Sequence, residues 1–181
     1  VRLLKHSDGN VYAFCNQSIF KCSMDQTVEP ILPDTVISSP AHSVAQAPDE
    51  DIYIGTESSG LYIYSGNWKL KQHIPVDGTI TAILPDEGGN IWLGLDEAGI
   101  CLFNKERQTF TWLHKDNTCL SNNSIRTLVP YSDSSILIGT FRGLNILDKK
   151  ELAIAPADIN IAGKGGLSHY SIHSMMIDKD Q

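Results

Sequence analysis

The chain has 181 residues, 41% of them hydrophobic and 19% charged, and its 14 basic against 21 acidic side chains leave a formal net charge of −7. That balance is too apolar for a disordered chain and suits one globular domain with a sizeable core. No Lys/Arg run is present to track a phosphate backbone, which excludes nucleic acid as an expected partner, and no apolar stretch approaches the ~18 residues of a bilayer span, so no membrane contact is expected of this segment.

In chain order, the opening VRLLKHSDGN has neither an initiator Met nor the apolar core of a signal peptide. The chain is therefore expected to be a piece of something longer. VRLL reads as a strand, and a turn leads into DGNVYAFC, Asp8 to Cys15. Cys15 and Cys22 flank an expected hairpin. With Cys101 and Cys119 they show no C-x-x-C spacing, so a zinc or redox centre has no support and apolar packing is their expected role. A disulfide between Cys15 and Cys22 stays open.

From there the chain repeats itself. SVAQAPDE (from Ser43) precedes EDIYIGTESSGLYIY (50–64), TITAILPDEGG (from Thr79) precedes GNIWLGLDEAGICLF (89–103), SIRTLVPYSD (from Ser124) precedes SSILIGTFRGLNIL (134–147), and SIHSMMIDKD (from Ser171) begins a further copy. Gly55, Gly94 and Gly139 are 39 and 45 residues apart, and Phe14 holds the same slot 41 residues before Gly55. In the third copy the strands read as TITAIL (79–84), NIWLGL (90–95), ICLFN (100–104) and TFTWLH (109–114), separated by turn residues.

Four antiparallel strands per repeat of about 40 to 47 residues is the pattern of a propeller blade. The expected fold is all-β: up-and-down four-stranded blades over 1–41, 42–78, 79–123 and 124–170, with a fifth begun at 171–181. Four blades plus one strand imply a partial propeller whose open edges need covering, and self-association as a homodimer is one way to cover them. The glycine inside each second strand marks a close backbone approach, and the glycine after each second turn suits the positive φ of a tight hairpin. Each copy offers an apolar face on which the next one packs, so no copy is stable alone. Trp92 sets the scale: an aromatic of its kind buries roughly 150–250 Å², an upper bound of about 4–6 kcal/mol.

The run from Asp86 to Gly143, with GNIWLGL, GICLFN, an aromatic TFTW strand and then Leu120, Ser121, Asn123 and Ile125, resembles the two-component regulator propeller repeat. Val44 to Gly60 carries a shorter match. Near the C-terminus Leu167, Ser168 and Ile172 fit, with Tyr170 where that family has Asn. No Trp-Asp or Gly-His signature of the WD40 type appears. The resemblance implies the periplasmic sensor region of a bacterial hybrid two-component system. It also implies a parent carrying further blades, a downstream immunoglobulin-like domain and a histidine kinase, and a link to sensing oligosaccharide or polysaccharide breakdown products. On that reading this segment is non-catalytic and takes no cofactor.

In an up-and-down blade the second turn (B–C) and the connection to the next blade (D–A) emerge at one end, and loops on a rigid scaffold are where ligands are met. The candidate ligand-binding residues there are Glu57, Asp96, Glu97, Asn122, Asn123, Phe141 and Arg142, with 159–170 as a further loop. Phe141 and Arg142 together offer a stacking surface and a forked donor for a sugar acid. Asp96 or Glu97 with Glu57 would be a glycosidase-like carboxylate pair, so a carbohydrate-active enzyme, glycosidase or lyase, is the alternative function. A purely structural or dimerising segment is the third. The PDEGG and PDED turns lack the ligand spacing of a calcium loop, and His169 with His173 falls where a loop meets a strand, so no metal is expected.

Overall fold

The computed structural model describes residues 1–31, 37–157 and 171–176. They hold strands and turns and no helix. The strands are β1 Arg2–Lys5, β2 Val11–Cys15, β3 Ser18–Cys22, β4 Val28–Ile31, β5 Ala41–Gln46, β6 Ile52–Thr56, β7 Leu61–Tyr64 and β8 Leu70–Ile74. They continue as β9 Ile80–Pro85, β10 Asn90–Leu95, β11 Gly99–Asn104, β12 Thr109–Leu113, β13 Ile125–Ser132, β14 Ser135–Thr140, β15 Gly143–Asp148 and β16 Ile154–Pro156. They form four sheets of four, each in sequential order, and every register given within them is antiparallel. The fold is all-β, built of up-and-down propeller blades. The third-copy strands read from sequence match β9 to β12 to within one residue.

Burial grades from the middle of each sheet outward, and composition follows it. The inner strands β6 (IYIGT) and β7 (LYIY) are buried at every position, because a sheet covered on both faces has no polar side to alternate with. The fourth strands are more open: most of β4 and of β12 is exposed, and β8 alternates. Polar residues and prolines are tolerated there because one edge carries no ladder partner.

The chain divides into two compact units, Val1–Asn90 and Ile91–Gln181. In the first, Tyr12, Phe14 and Ile19 of the first sheet pack with Ile52, Ile54, Tyr62 and Tyr64 of the second around Trp68. The Trp68 ring lies 5.0 Å from that of Tyr12 and 6.1 Å from that of Phe14. A Cβ placed on Gly55 would fall 2.6 Å from Cγ2 of Ile80, on the first strand of the following copy, and would also strike Ser43 Oγ. Ser43 in turn donates to the Ile80 carbonyl at 2.6 Å. The repeated glycine is thus the place where one blade's backbone receives the next blade's isoleucine.

The second unit repeats this contact: a Cβ on Gly139 would fall 2.6 Å from Cγ2 of Ile172 and of Thr127. The expected further first strand is represented by 171–176, which form no ladder strand, yet the Ile172 N–H donates to the Thr140 carbonyl at 3.0 Å. Trp92 and Phe103 are each 1% exposed, as an inter-blade packing role requires.

Sequence also explains the first turns of the copies. Asp8, Asp49 and Asp86 accept through Oδ1 from the backbone N–H of Asn10, Asp51 and Asn90, the side-chain turn for which Asp is favoured. The glycines after the second turns, Gly60, Gly99 and Gly143, all have positive φ.

All four cysteines are free. Cys15 lies opposite Ser18 and Cys22 opposite Val11, so the two sit at opposite ends of one hairpin. Four strand residues separate them, about 13 Å, well beyond the ~7 Å limit between Cα atoms of a disulfide.

Candidate functional site

The second unit brings most of the candidate residues to one end of its sheets. The segment 123–126, which leads into β13, lies between two B–C turns and is bonded to both. On one side the Gly99 N–H donates to the Asn123 carbonyl at 2.8 Å; on the other the Phe141 N–H donates to the Ser124 carbonyl at 3.0 Å. Asp96 and Glu97 stand on the first turn, Phe141 and Arg142 on the second.

Between them stands Arg126. The pairing of β13 with β14 shifts register between Ile125 and Thr127, so Arg126 is the extra residue of a β-bulge, a device that re-aims a side chain. Its Nη2 lies 3.8 Å from Asp96 Oδ1, and its Cζ lies 5.7 Å over the Phe141 ring, within cation–π range. Its Nε is enclosed and has no hydrogen-bond partner. Phe141 as a residue remains 48% exposed, open to a ligand.

The asparagines of the D–A loop hold the rim together. Asn122 Oδ1 accepts from the Ser124 N–H and Asn123 Oδ1 from the Lys115 N–H, each at 2.8 Å, so their carbonyls are engaged in shaping the loop. Behind them lies a buried polar cluster. Asn145, 0% exposed, accepts from the Ser121 hydroxyl at 2.6 Å and its N–H at 3.2 Å, and donates to the carbonyls of Cys119 and Ala155 at 3.4 Å. Thr140 donates to the Gly143 carbonyl and accepts from the Arg142 N–H, closing the turn that presents Phe141. The Leu-Ser-x-Asn segment is therefore a fastening: Leu120 is buried, Ser121 binds Asn145, and Asn123 ties the loop.

The first unit has a matching rim. The Glu57 N–H donates to the Pro40 carbonyl, the Thr79 hydroxyl donates to the Glu57 carbonyl, and Ser38 pairs with the Tyr62 hydroxyl at 2.8 Å. Thr56 closes its turn onto Gly60 as Thr140 does onto Gly143. The Glu57 side chain is exposed. Thus Asp96, Glu97, Asn122, Asn123, Phe141 and Arg142 gather at one rim, Glu57 stands on the rim of the other unit, and the 159–170 loop, with His169, lies outside the described residues.

Sequence reading passed over Arg126, which sits inside a strand. The available signal was variation between copies: the slot after the first isoleucine position holds His42, Thr81, Arg126 and His173, while its flanks repeat. A second bulge, between Ala41 and Ser43, falls on that same slot at His42.

Asp8, Tyr12 and Cys101 have displaced acidity. Burial opposes ionisation of Asp8, but hydrogen bonds from Asn10 and Tyr12 and the nearby His6 outweigh it and hold the carboxyl well below the usual range. Burial, with the Asp8 bond, pushes the Tyr12 phenol up. Burial alone raises the Cys101 thiol to about 12, so it is an inert packing residue. Among the described residues no group of three His, Cys, Asp or Glu is placed to hold a metal ion.

No known family profile matches the sequence, and no curated protein does. Solved structures do match. The chain is similar to a structure named as the extracellular domain of the hybrid two component system BT4673 of B. thetaiotaomicron, with TM-score 0.77 and 18% identity, covering 99% of this chain and 24% of that one. The corresponding domain of BT3049 from the same organism gives TM-score 0.69 and 16% identity over 87% of this chain and 24% of that one. PorZ, a surface component of the type-IX secretion system of Porphyromonas gingivalis, gives 0.66 and 13% over 84% and 26%. These likenesses establish the fold. The chain spans about a quarter of the length of each of these three structures.

Proposed function

We propose that this chain is a non-catalytic sensor segment of an extracytoplasmic receptor region, and that the rim between the turns at 96–99 and 140–143 meets a saccharide ligand. The observation that carries the reading is the layout of that rim. A half-exposed aromatic ring, a guanidinium and a carboxylate converge on a loop fixed by backbone bonds and by the Ser121–Asn145 fastening. Aromatic faces with a few fixed polar groups are the chemistry by which proteins recognise sugars.

The names borne by the BT4673 and BT3049 domains support a place in two-component signalling. On this reading the parent is a membrane-anchored hybrid histidine kinase with its sensor region in the periplasm. Further blades of the parent, or a second copy of the chain, cover the outer sheet faces. Polysaccharide breakdown products are the proposed ligand class.

Titration calorimetry against a panel of oligosaccharides, paired with a product assay on the same panel, tests this. Saturable binding without turnover is the expected result. Turnover would replace the reading with that of a carbohydrate-active enzyme. Neither binding nor turnover across the panel would leave a scaffold.

A further inference from the structure

We propose that Arg126 is the specificity-determining residue of this rim and selects a carboxylate-bearing sugar, a uronic acid unit, with Phe141 as the surface on which the sugar ring lies. The proposal rests on the saccharide-sensing reading above and narrows it to acidic ligands.

Three independent observations carry it. The first is the bulge: Arg126 is displaced from the β13–β14 ladder in a slot that is also bulged at His42, so the break belongs to the repeat and this copy uses it to aim a guanidinium at the rim. The second is its unfilled hydrogen bonding. A guanidinium has five N–H donors in a fixed fork that suits two parallel bonds to one carboxylate. Here Nε is enclosed and out of a ligand's reach, but Asp96 stays at 3.8 Å from Nη2, beyond hydrogen-bond reach, so the Nη1–Nη2 edge is the pair of donors left for a carboxylate. Asp96 supplies countercharge without occupying the fork.

The third is the platform. The guanidinium lies over Phe141 at 5.7 Å, and a ligand placed on the open part of that ring brings a ring substituent within range of the guanidinium. Arg142, next in sequence to the aromatic, is exposed, and its placed hydrogen bond is a backbone one, to Thr140 Oγ1. Neutral sugars would gain the stacking and leave the fork unsatisfied, whereas a uronate fills it. Asp96 repels the same carboxylate and so sets the affinity below what Arg126 alone would give.

The test is calorimetry on the intact chain with oligogalacturonates and oligoglucuronates beside neutral galactose and glucose oligomers of equal length. The intact protein should bind an acidic oligomer at least tenfold more tightly than its neutral counterpart. Arg126→Gln should remove that preference and leave the weak neutral binding in place. Arg126→Lys, which keeps charge but loses the fork, should retain only part of it. Asp96→Asn should tighten acidic binding several-fold, and Lys150→Gln, a charge removed from an exposed site, should change neither class. Urea midpoints of the variants confirm that each is folded.

If neutral oligomers bind and acidic ones do not, or if Arg142→Gln abolishes the preference while Arg126→Gln keeps it, the assignment to Arg126 is overturned and the sensor reading survives. If no oligomer of either charge binds, both fall.

Discussion

Gly139 and Ile172 meet with no room for a methyl group between them: a Cβ on the glycine would lie 2.6 Å from Cγ2 of the isoleucine. Gly55 and Ile80 meet in the same way in the other unit, so the recurrence of glycine is a recurrence of contact. Gly139→Ala should destabilise the protein by about 1–3 kcal/mol, the usual cost of overpacking, seen as a lower urea midpoint with an unchanged slope. Ile172→Ala made in the Gly139→Ala background should recover part of the loss. An alanine variant as stable as the parent would remove the packing explanation for the repeat.

Asn145 makes a second kind of fastening. It is buried and bonded to Ser121 and to the carbonyls of Cys119 and Ala155. Truncation takes a partner from those groups in a dry site, at about 1–3 kcal/mol for each group left unsatisfied. Because the Ser121 hydroxyl keeps Thr140 as a partner at 3.0 Å and the two bonds to carbonyls are long at 3.4 Å, Asn145→Ala is expected to cost only about 2–3 kcal/mol in all, and Ser121→Ala less. The pair should be non-additive in a double-mutant cycle. Additive losses would mean that the two residues stabilise the rim independently.

The strand plan was legible because inner blade strands carry unbroken apolar runs and their turns carry Asp, Asn and Gly at fixed offsets. NIWLGL and SILIG could be placed to within a residue on those signals. The site was only half legible. Turn residues such as Phe141 and Asp96 stand where loops are expected to carry function, whereas Arg126 and Asn145 sit within strands and read as ordinary occupants of a ladder. What distinguishes them is tertiary: a bulge for Arg126, and for Asn145 a partner 24 residues away. The Cys15–Cys22 question could not be answered from spacing, because the register that separates them by the length of a hairpin is fixed only when β2 pairs with β3.

Glu50 occupies a turn position that other copies give to glycine. Its φ is +67°, against +87° for Gly9 and +74° for Gly89, and its N–H donates to the Ala47 carbonyl as that of Gly9 does to His6 and that of Gly89 to Asp86. A residue with a Cβ pays a steric cost in this region that glycine does not, partly offset because glycine makes the unfolded chain more flexible. Glu50→Gly should raise stability by about 0.5–1 kcal/mol, readable as a rise in thermal midpoint. A fall would show that the Glu50 side chain makes a compensating contribution.

Asp8 gives the protein an acid-dependent component of stability. Its carboxylate accepts from the Asn10 N–H at 2.9 Å and the Tyr12 hydroxyl at 2.8 Å, and its folded-state pKa lies below the ordinary value. A group with a depressed folded pKa stabilises fully above its unfolded value, about 3.9, and that contribution is lost as pH falls toward the folded value. Asp8→Asn should therefore be less stable than the parent at pH 7, with the gap narrowing below about pH 4. Urea midpoints measured for both proteins at intervals from about pH 7 down to about pH 2.5 follow this directly. A gap that stays constant across the range would show that the loss does not follow the Asp8 charge, and would remove the linkage to its depressed pKa.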